Sequence, residues 1–398
     1  MTDRSSAIIR ADVERLCAPG DRDLGTKRNR DATDYVAERL RQTGLKVETL
    51  EFEVPEWRYG HASVKTGDLE LSAHPGPFSP SLEGEGPLVV IRTADEISAV
   101  GVPGTVLLLC GEIASTQFTP RGYPFYSNPD HAAILDALEA KRPLAVLSAT
   151  DKDPMTGAMS PFPLIEDVRF TVPSAYMSAE KGAELSRHVG DVVAVSIVSE
   201  VRASTGVQPV GRRAGTREGR IVVSAHIDSK PGSPGAIDNA AGVAVLLAVA
   251  SLVRDVELDS AIEFVPFNGE DHVLAPGELS WLAANEDLSD IGLVINIDAP
   301  GLIGAPSAYS LYGVDEATAA IAASLSDDNE DVVEGTPWPA SDHMIFAMRG
   351  IPAIAVTTAD FATGASEVFH TPADAPEAVD YDLLASAARF VADLIAAA

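Results

Sequence analysis

The sequence predicts an α/β fold: a three-layer sandwich with a mostly parallel, mixed sheet, and a smaller β-rich domain inserted into it. After residue 220, apolar strands alternate strictly with helices, which is typical of a parallel sheet covered on both faces. Residues 57–200 instead carry short apolar strands separated by Pro and Gly. We therefore expect one domain formed by residues 1–56 and 205–398, and an inserted domain with its linker at residues 57–204.

The first block of the chain predicts one αβ unit. Residues 5–17 and 29–43 place apolar side chains at helical spacing, and Gly44 can end the second helix. Residues 45–54 alternate apolar and polar side chains, which predicts a strand.

The inserted block contains five short apolar segments and two helical ones, at residues 130–140 and 179–188. Its histidines have no spacing typical of metal ligands, and residues 201–219 are polar and Gly-rich, which predicts a linker. The strand segments read PLVVIR, GTVLLLC, PLAVLSA, FTVPSAYMS and VVAVSIV.

The last block supplies the alternating strands and helices. Its predicted strands are residues 220–225, 261–267, 291–297 and 352–357. Its predicted helices are residues 240–253, 279–285, 316–325, 342–348 and 381–397.

Net charge and cysteine content indicate which partners and which cellular compartment to expect. The formal net charge is −30, from 59 acidic and 29 basic residues, so the protein repels phosphate backbones and anionic lipid surfaces. We therefore expect no nucleic-acid and no membrane partner. The acidic N-terminal segment and the presence of only two cysteines predict a reduced, cytoplasmic setting without a disulfide framework.

Ionisable side chains follow four predicted strands at their carboxyl ends, which meet at one edge of a parallel sheet and commonly bind ligands. One carboxylate at a strand end is a common turn or cap residue, but four successive strand ends with such groups indicate a shared site. The residues are His226, Asp228 and Asp238; Glu270 and Asp271; Asp298; and His370.

These side chains suit two divalent cations. Imidazoles and carboxylates are good zinc ligands, and one carboxylate can bridge two metals. Asp228 can accept from the other ring nitrogen of His226 and so fix its tautomer. Glu270, beside Asp271, is placed to take a proton from a bound water.

The segments AHID, GAIDNAAGVA, FVPFNGED, NIDAPG, ASDHMIF and VFHTPAD together resemble the co-catalytic zinc exopeptidases, which include leucine aminopeptidases, glutamate carboxypeptidases and glutaminyl cyclases. The resemblance covers residues 1–56 and 205–398, while residues 57–200 are similar to a protease-associated domain. It implies two bound zinc ions, with Glu270 as general base, Asp228 as the partner of His226, and a cis peptide at Asp238–Asn239. It further implies that His226, Asp238 and Asp298 bind one metal, and that Asp238, Asp271 and His370 bind the other.

The sequence departs from the family pattern at two positions. The family usually has a second glutamate where this chain has Asp271, and several members have a tyrosine where it has Phe369. A phenylalanine cannot donate a hydrogen bond to the tetrahedral intermediate, so His343, Tyr309 or the metals alone would have to stabilise it.

We expect a metal-dependent aminopeptidase that acts on a peptide or small amide. Asp360 and Glu367 are candidates to bind the substrate's α-ammonium group, and only Arg349 is a candidate for a substrate carboxylate. The alternatives are a carboxypeptidase or aminoacylase, a single-zinc glutaminyl cyclase-like acyltransferase and an inactive peptide-binding homologue; a homo-oligomer is left open. Asp342 and His343 are predicted to cap and support a helix, and Asp374 to cap a turn.

Overall fold

The computed structural model describes residues 2–100, 103–124, 126–152, 160–327, 329–339, 341–359 and 367–397 of the 398. The chain divides into two compact units. Unit 1 is Met1–Val54 with Thr205–Ala398, and unit 2 is Pro55–Ser204. The first boundary lies two residues before the one predicted after residue 56, and the second falls where the sequence placed it.

Helices and strands follow one another in the order that the sequence pattern indicated for most of the chain. The helices are α1 (Thr2–Cys17), α2 (Lys27–Gln42), α3 (Pro129–Ala140), α4 (Ala179–Leu185), α5 (Gly242–Leu252), α6 (Pro276–Ala284), α7 (Glu316–Asp327), α8 (His343–Ala347) and α9 (Tyr381–Ala397). The strands are β1 (Lys46–Thr66), β2 (Leu69–Pro75), β3 (Leu82–Ile91), β4 (Val106–Leu109), β5 (Ala145–Thr150), β6 (Ser174–Ser178), β7 (Val192–Arg213), β8 (Arg220–His226), β9 (Ala261–Phe267), β10 (Ile291–Ile297), β11 (Ser307–Tyr312), β12 (Val332–Glu334) and β13 (Ala353–Thr358). Within the described part of the chain, no helix has the length and apolar character needed to cross a bilayer.

The sheet of unit 1 is mixed but mostly parallel, as predicted. From one edge its strands run β7, β9, β8, β10, β13, β11 and β12. β9, β8, β10 and β13 form a continuous parallel block, flanked by antiparallel pairings of β7 with β9 and of β11 with β13. The central strands are almost wholly buried, because helices cover them.

Helical layers cover this sheet. α1, α5 and α9 pack on one another, and α5 lies against β8, β9 and β10. α6 and α8 meet through Trp281 and Phe346, whose ring centroids are 5.3 Å apart, and Trp281 also contacts Phe267 of β9 at 5.9 Å. The three-layer α/β prediction is confirmed.

Two local predictions are wrong. The predicted linker at residues 201–219 is largely strand, because β7 continues to Arg213; Val207 and Val210 are buried, and residues 211–213 pair with β9. The strand predicted for residues 45–54 likewise continues to Thr66. In both cases a run of consecutive exposed residues, 58–61 in β1 and 200–203 in β7, interrupts the alternation of apolar and polar side chains that marks a strand in the sequence.

Unit 2 has its own sheet, in which β3, β4, β5 and β6 run parallel and β2 pairs antiparallel with β6. Alternate residues of β4 enter two separate apolar cores, with Leu107 and Leu109 in one and Val106 and Leu108 in the other. This unit is therefore a small α/β domain with a core on each face of its sheet. Its likeness to a protease-associated domain stays a prediction.

Candidate metal centre

The predicted site residues lie at the carboxyl-end edge of the parallel strands of unit 1. β8 ends at His226, and β10 ends one residue before Asp298. β9 ends three residues before Glu270, and His370 lies in the segment after β13. Asp238 lies in an irregular turn, Ala236–Ala241, between β8 and α5, and its own backbone angles (φ −114°, ψ 88°) are not helical. Five separate segments thus converge on one edge.

Two clusters form there, and they share one carboxylate. His226 Nε2 lies 3.0 Å from Asp238 Oδ1 and 3.3 Å from Asp298 Oδ1. His370 Nε2 lies 3.0 Å from Asp238 Oδ2 and 3.3 Å from Asp271 Oδ1. Each cluster has ligand atoms close enough together to hold one metal ion. Because its two oxygens face different imidazoles, Asp238 has the geometry of a bridging ligand.

Orphaned polar atoms support a metal site. Nε2 of His226, Oδ1 of Asp298 and Oδ2 of Asp271 are buried and make no hydrogen bond of acceptable geometry within the described residues. Leaving a buried polar atom unsatisfied costs about 1–3 kcal/mol. Nitrogen and carboxylate oxygen donors at these positions fit zinc or another divalent cation.

The turn that carries Asp238 is held by the residue after it. Asp238–Asn239 is a cis peptide, as the resemblance implied. The Asn239 side chain donates to the carbonyl oxygen of Ile297 at 2.9 Å and accepts from the backbone N–H groups of Gly242 and Ala299 at 2.9 and 3.2 Å. Asn239 therefore links this turn to the end of β10, a role the sequence analysis missed although the Asp-Asn pair stood next to a predicted helix start.

Asp374 holds the same turn from the other side. Its carboxylate accepts from the backbone N–H groups of Ile237 and Asp238 at 2.6 and 3.2 Å, and it is fully buried. The prediction that Asp374 caps a turn is confirmed, and the capped turn is the one that carries Asp238. Since Asp374 follows His370 by four residues, one segment supplies both a ligand and a support.

Asp228 makes further contacts beside the predicted one with His226. Its carboxylate accepts from the backbone N–H groups of Gly269 and Asp271 at 2.8 and 3.1 Å. His226 Nδ1 lies 3.2 Å from the carbonyl oxygen of Asp228 and 3.7 Å from its carboxylate. The carbonyl oxygen is thus the nearer acceptor, because the carboxylate is engaged by the turn that carries Glu270 and Asp271. Either acceptor leaves Nε2 free for a metal.

Glu270 faces the first cluster. Its Oε2 lies 3.9 Å from His226 Nε2, and its side chain is 21% exposed, so it can reach both cluster and substrate. Burial raises the pKa of Glu270 well above its ordinary value, and the charges of Asp298, Asp271 and Asp238 raise it further. Bound cations would offset these carboxylate charges.

The imidazoles carry the positive charge of the metal-free site. Burial opposes protonation of His370, but Asp271 and Asp238 outweigh it and raise its pKa to about 10. Burial likewise opposes protonation of His226, yet Asp298 and its other carboxylate neighbours raise its pKa well above the ordinary value. A metal must therefore displace a proton from each ring to bind.

Two further carboxyl groups are buried in the same unit. Glu278 of α6 and Asp342, which precedes α8, are 1% and 2% exposed, and their oxygens lack hydrogen-bond partners of good geometry in the described structure. Burial raises the pKa of Glu278 to about 7, with the charge of Asp228 adding to it. Burial also raises the pKa of Asp342 well above its usual range, with Glu278 and Glu270 adding. Asp342 occupies the helix-cap position predicted for it, but its side chain makes no capping hydrogen bond.

Neither predicted substitute for the missing tyrosine offers a free donor. The Tyr309 ring stacks on Phe390 of α9 at 5.2 Å and is 1% exposed. His343 Nε2 lies 3.0 Å from the carbonyl oxygen of Trp338, and burial lowers the pKa of His343 to about 4. A neutral imidazole has one N–H group, so donation to Trp338 leaves only a lone pair on Nδ1.

The structure gives less information on the three residues predicted to bind charged groups of the substrate. Glu367 is exposed, and Asp360 lies outside the described residues. The Arg349 side chain is exposed and donates to the carbonyl oxygen of Ile345 in the preceding helix, α8, at 2.5 Å. The structure therefore brings the metal-site residues together but leaves these three candidates as predictions.

Comparison with curated proteins gives relatives named as aminopeptidases. Aminopeptidase YwaD of Bacillus subtilis is 25% identical over 395 residues, which cover 94% of this chain and 80% of that protein. The probable lipoprotein aminopeptidase LpqL of Mycobacterium tuberculosis is 25% identical over 312 residues, which cover 75% of this chain and 58% of LpqL. The chain therefore spans less than two thirds of the length of LpqL.

Solved structures share the fold over nearly the whole chain. The aminopeptidase from Aneurinibacillus sp. strain AM-1 matches with a TM-score of 0.76 at 19% identity, covering 100% of this chain and 94% of that one. BSAP, a zinc aminopeptidase from Bacillus subtilis, matches with a TM-score of 0.72 at 18% identity, covering 98% and 94%. The sequence profile of peptidase family M28 matches residues 210–395. That segment contains every residue of both clusters, so the part of the chain that carries the site is similar to peptidase family M28.

Proposed function

We propose that this protein is a metal-dependent aminopeptidase that uses two divalent cations, with zinc the expected metal, to hydrolyse the N-terminal peptide bond of peptides. The observation that carries the proposal is the position of Asp238, whose two oxygens each lie 3.0 Å from a different imidazole. The aminopeptidase names of its relatives, one of them a zinc enzyme, support the same reaction.

The two clusters divide the ligands between the ions. His226, Asp238 and Asp298 would hold one cation, and Asp238, Asp271 and His370 would hold the other. When bound, the cations would supply Lewis acidity that polarises the scissile carbonyl, acidifies the attacking water and stabilises the charge that develops on oxygen.

Glu270 is the proposed general base. It accepts the proton of the attacking water on its carboxylate and later delivers that proton to the nitrogen of the leaving amine. Asp228 supports this step through the backbone, because its carboxylate holds the N–H groups on both sides of Glu270. The chain thus positions its base by two hydrogen bonds that do not touch the Glu270 side chain.

Stabilisation of the tetrahedral intermediate needs no protein hydroxyl in this proposal. Phe369 cannot donate, and the contacts of Tyr309 and His343 engage those residues elsewhere. We expect a slower chemical step than in a relative with a tyrosine at position 369, since one oxyanion donor is worth about 10²–10³ in rate. The cytoplasmic setting, the exclusion of nucleic-acid and membrane partners, and the homo-oligomer stay predictions.

The test combines metal analysis with a panel of amino-acid p-nitroanilides. The variants are Glu270→Gln and, as a matched control, Glu257→Gln at an exposed position. We expect about two zinc ions per chain in all three proteins, and a loss of about 10²–10⁴-fold in kcat in Glu270→Gln alone.

N-acetylated substrates identify the reaction class. An aminopeptidase leaves them uncut, whereas an aminoacylase releases the acetyl group and a carboxypeptidase cleaves acetylated dipeptides at the other end. One zinc ion with pyroglutamate formation from N-terminal glutamine, and no amide hydrolysis, would favour the cyclase-like reaction. Absence of both metal and turnover would contradict the proposal and leave a peptide-binding protein.

A further inference from the structure

The side chain of a buried arginine is hydrogen-bonded to the backbone of the loop between β8 and the turn that carries Asp238. Arg22 lies between α1 and α2, and it is fully buried. Its guanidinium donates to three backbone carbonyl oxygens: Nε to Ile227 at 2.6 Å, Nη1 to Pro234 at 2.6 Å and Nη2 to Gly235 at 2.9 Å. These acceptors lie at the two ends of one loop, so a single side chain ties the ends together.

The backbone around Arg22 adds contacts in the middle of that loop. The Arg22 backbone N–H donates to Ser229 Oγ at 2.9 Å, and Ser229 Oγ donates to the carbonyl oxygen of Ser233 at 3.2 Å. The Asp21 carboxylate accepts from the Gly232 N–H at 2.9 Å. Residues 21 and 22 therefore contact the loop at its beginning, middle and end.

The contact is tight at the point nearest Asp238. Gly235 has φ +60°, and a Cβ there would lie 2.9 Å from Arg22 Nη2 and 2.4 Å from the carbonyl oxygen of Asp238. Asp374 holds the two N–H groups that follow, at Ile237 and Asp238. The bridging carboxylate is thus fixed between a guanidinium on one side and a carboxylate on the other.

We propose that Arg22 is a positioning residue for the metal centre, acting on Asp238 through the loop of residues 227–235. The planar guanidinium presents several N–H groups in a fixed fork, so it can satisfy three carbonyl oxygens at once, which a lysine ammonium cannot do in this arrangement. The inference rests on the proposed function, because it assigns Arg22 to the geometry of the same site.

The chain offers a matched control for a purely structural role. Arg213 also donates to three backbone carbonyl oxygens of one loop: Val253 at 2.6 Å, Arg254 at 2.8 Å and Val256 at 3.2 Å. These lie after α5 and include no residue of either metal cluster. Replacing Arg213 therefore removes a similar set of three hydrogen bonds to a loop, but none to a residue of the metal clusters.

The experiment compares Arg22→Met, Arg22→Lys and Arg213→Met with the wild type. Zinc affinity is measured by competition with a chromophoric chelator, kcat and KM on an amino-acid p-nitroanilide, and thermal stability on metal-free protein. We expect Arg22→Met to lose about 10–100-fold in zinc affinity or in kcat, as removal of groups that orient metal ligands does. KM should stay within about twofold, because the hydrogen bonds of Arg22 to the loop do not involve the substrate. Arg22→Lys should fall between, and Arg213→Met should lose stability alone.

Hydrogen exchange on the metal-free proteins gives a readout that needs no activity. In Arg22→Met, the amides of residues 229–238 should exchange faster than in the wild type and in Arg213→Met. Unchanged zinc affinity, kcat and loop exchange in Arg22→Met would overturn the inference, as would equal losses in Arg213→Met. If Arg22→Met does not fold, Arg22→Lys is judged by the same criteria. If the wild type binds no zinc, the proposed function fails, and loop exchange alone decides on Arg22.

Discussion

Replacing Glu278 by glutamine should stabilise the protein, and only at the higher end of the pH range. Glu278 is 1% exposed, its carboxylate oxygens make no hydrogen bond of acceptable geometry among the described residues, and its carboxyl group interacts with that of Asp342, which is also buried. Burial raises its pKa from 4.5 to about 7, with Asp228 adding to the shift. The folded protein therefore keeps a proton here that the unfolded chain has already released.

The size of the effect follows from the shift of about 2.5 pKa units. Each unit corresponds to about 1.36 kcal/mol, so the ionised carboxylate lowers the free energy of unfolding by about 3 kcal/mol. Because the folded-state pKa of this acid is raised, the free energy of unfolding keeps its full value below about pH 4.5. It falls as the pH rises through about 7 and Glu278 ionises in the folded protein. Glutamine stays neutral throughout and avoids that loss.

The assay is urea unfolding of metal-free protein at about pH 5 and about pH 8. Glu278→Gln should match the wild type within about 1 kcal/mol at the lower pH and exceed it by about 3 kcal/mol at the higher. Glu263→Gln is the control, because Glu263 is equally buried but accepts from Arg212, Arg220 and Trp281 at 2.9, 2.8 and 2.7 Å. Losing that charge should destabilise the protein by about 3 kcal/mol or more at the higher pH.

At the higher pH, Glu278→Gln should raise the free energy of unfolding, whereas Glu263→Gln should lower it. A Glu278→Gln variant that is less stable than the wild type at the higher pH would show that the carboxylate has a stabilising partner. An equal gain at both pH values would show that the benefit is packing and not ionisation.

Three further predictions concern the metal centre: two substitutions at residues that hold the turn around Asp238, and removal of the metal. Gly242→Ala should cost about 1–3 kcal/mol in unfolding free energy and lower the zinc content, because its Cβ would lie 2.1 Å from Asn239 Oδ1 and 2.4 Å from the Ile297 carbonyl oxygen. Asp374→Asn should weaken zinc binding about tenfold in chelator competition, since an amide cannot accept from both N–H groups as the carboxylate does. Removing metal with EDTA should lower the melting temperature, and zinc at about 100 times its Kd should restore about 2.7 kcal/mol; an unchanged melting temperature would contradict a metal centre in the folded protein.

Sequence reasoning reached the parallel sheet and the residues at its edge because both leave local signals. β9 and β10 are bounded as their apolar runs predicted, and the ionisable residues follow them within a few positions. β11 and β12 were missed. β11 reads SAYSLY, with no apolar run, and β12 has only three residues, so pairing with neighbours and not composition makes them strands.

The supports of the site left weaker signals. Arg22 binds carbonyl groups 205 to 213 positions away in the chain, and nothing near it in the sequence marks these partners. Glu278 is one glutamate in a helix, a residue type that is nearly always exposed. The contacts of Asp228 depended on which acceptor stood nearer to His226 Nδ1, and this distance follows from the fold of the 269–271 turn.

The shared carboxylate also sets an order of events during protein synthesis. His226 and Asp238 leave the ribosome almost together, but residue 370 follows residue 238 by 132 positions. At about 5–20 residues per second, roughly 7–26 s separate the two. A growing chain completes the first cluster when Asp298 is added, 72 positions before His370. The second cluster is complete only when His370 is added, so both clusters are present together long after the N-terminal segment that carries Arg22 has been made.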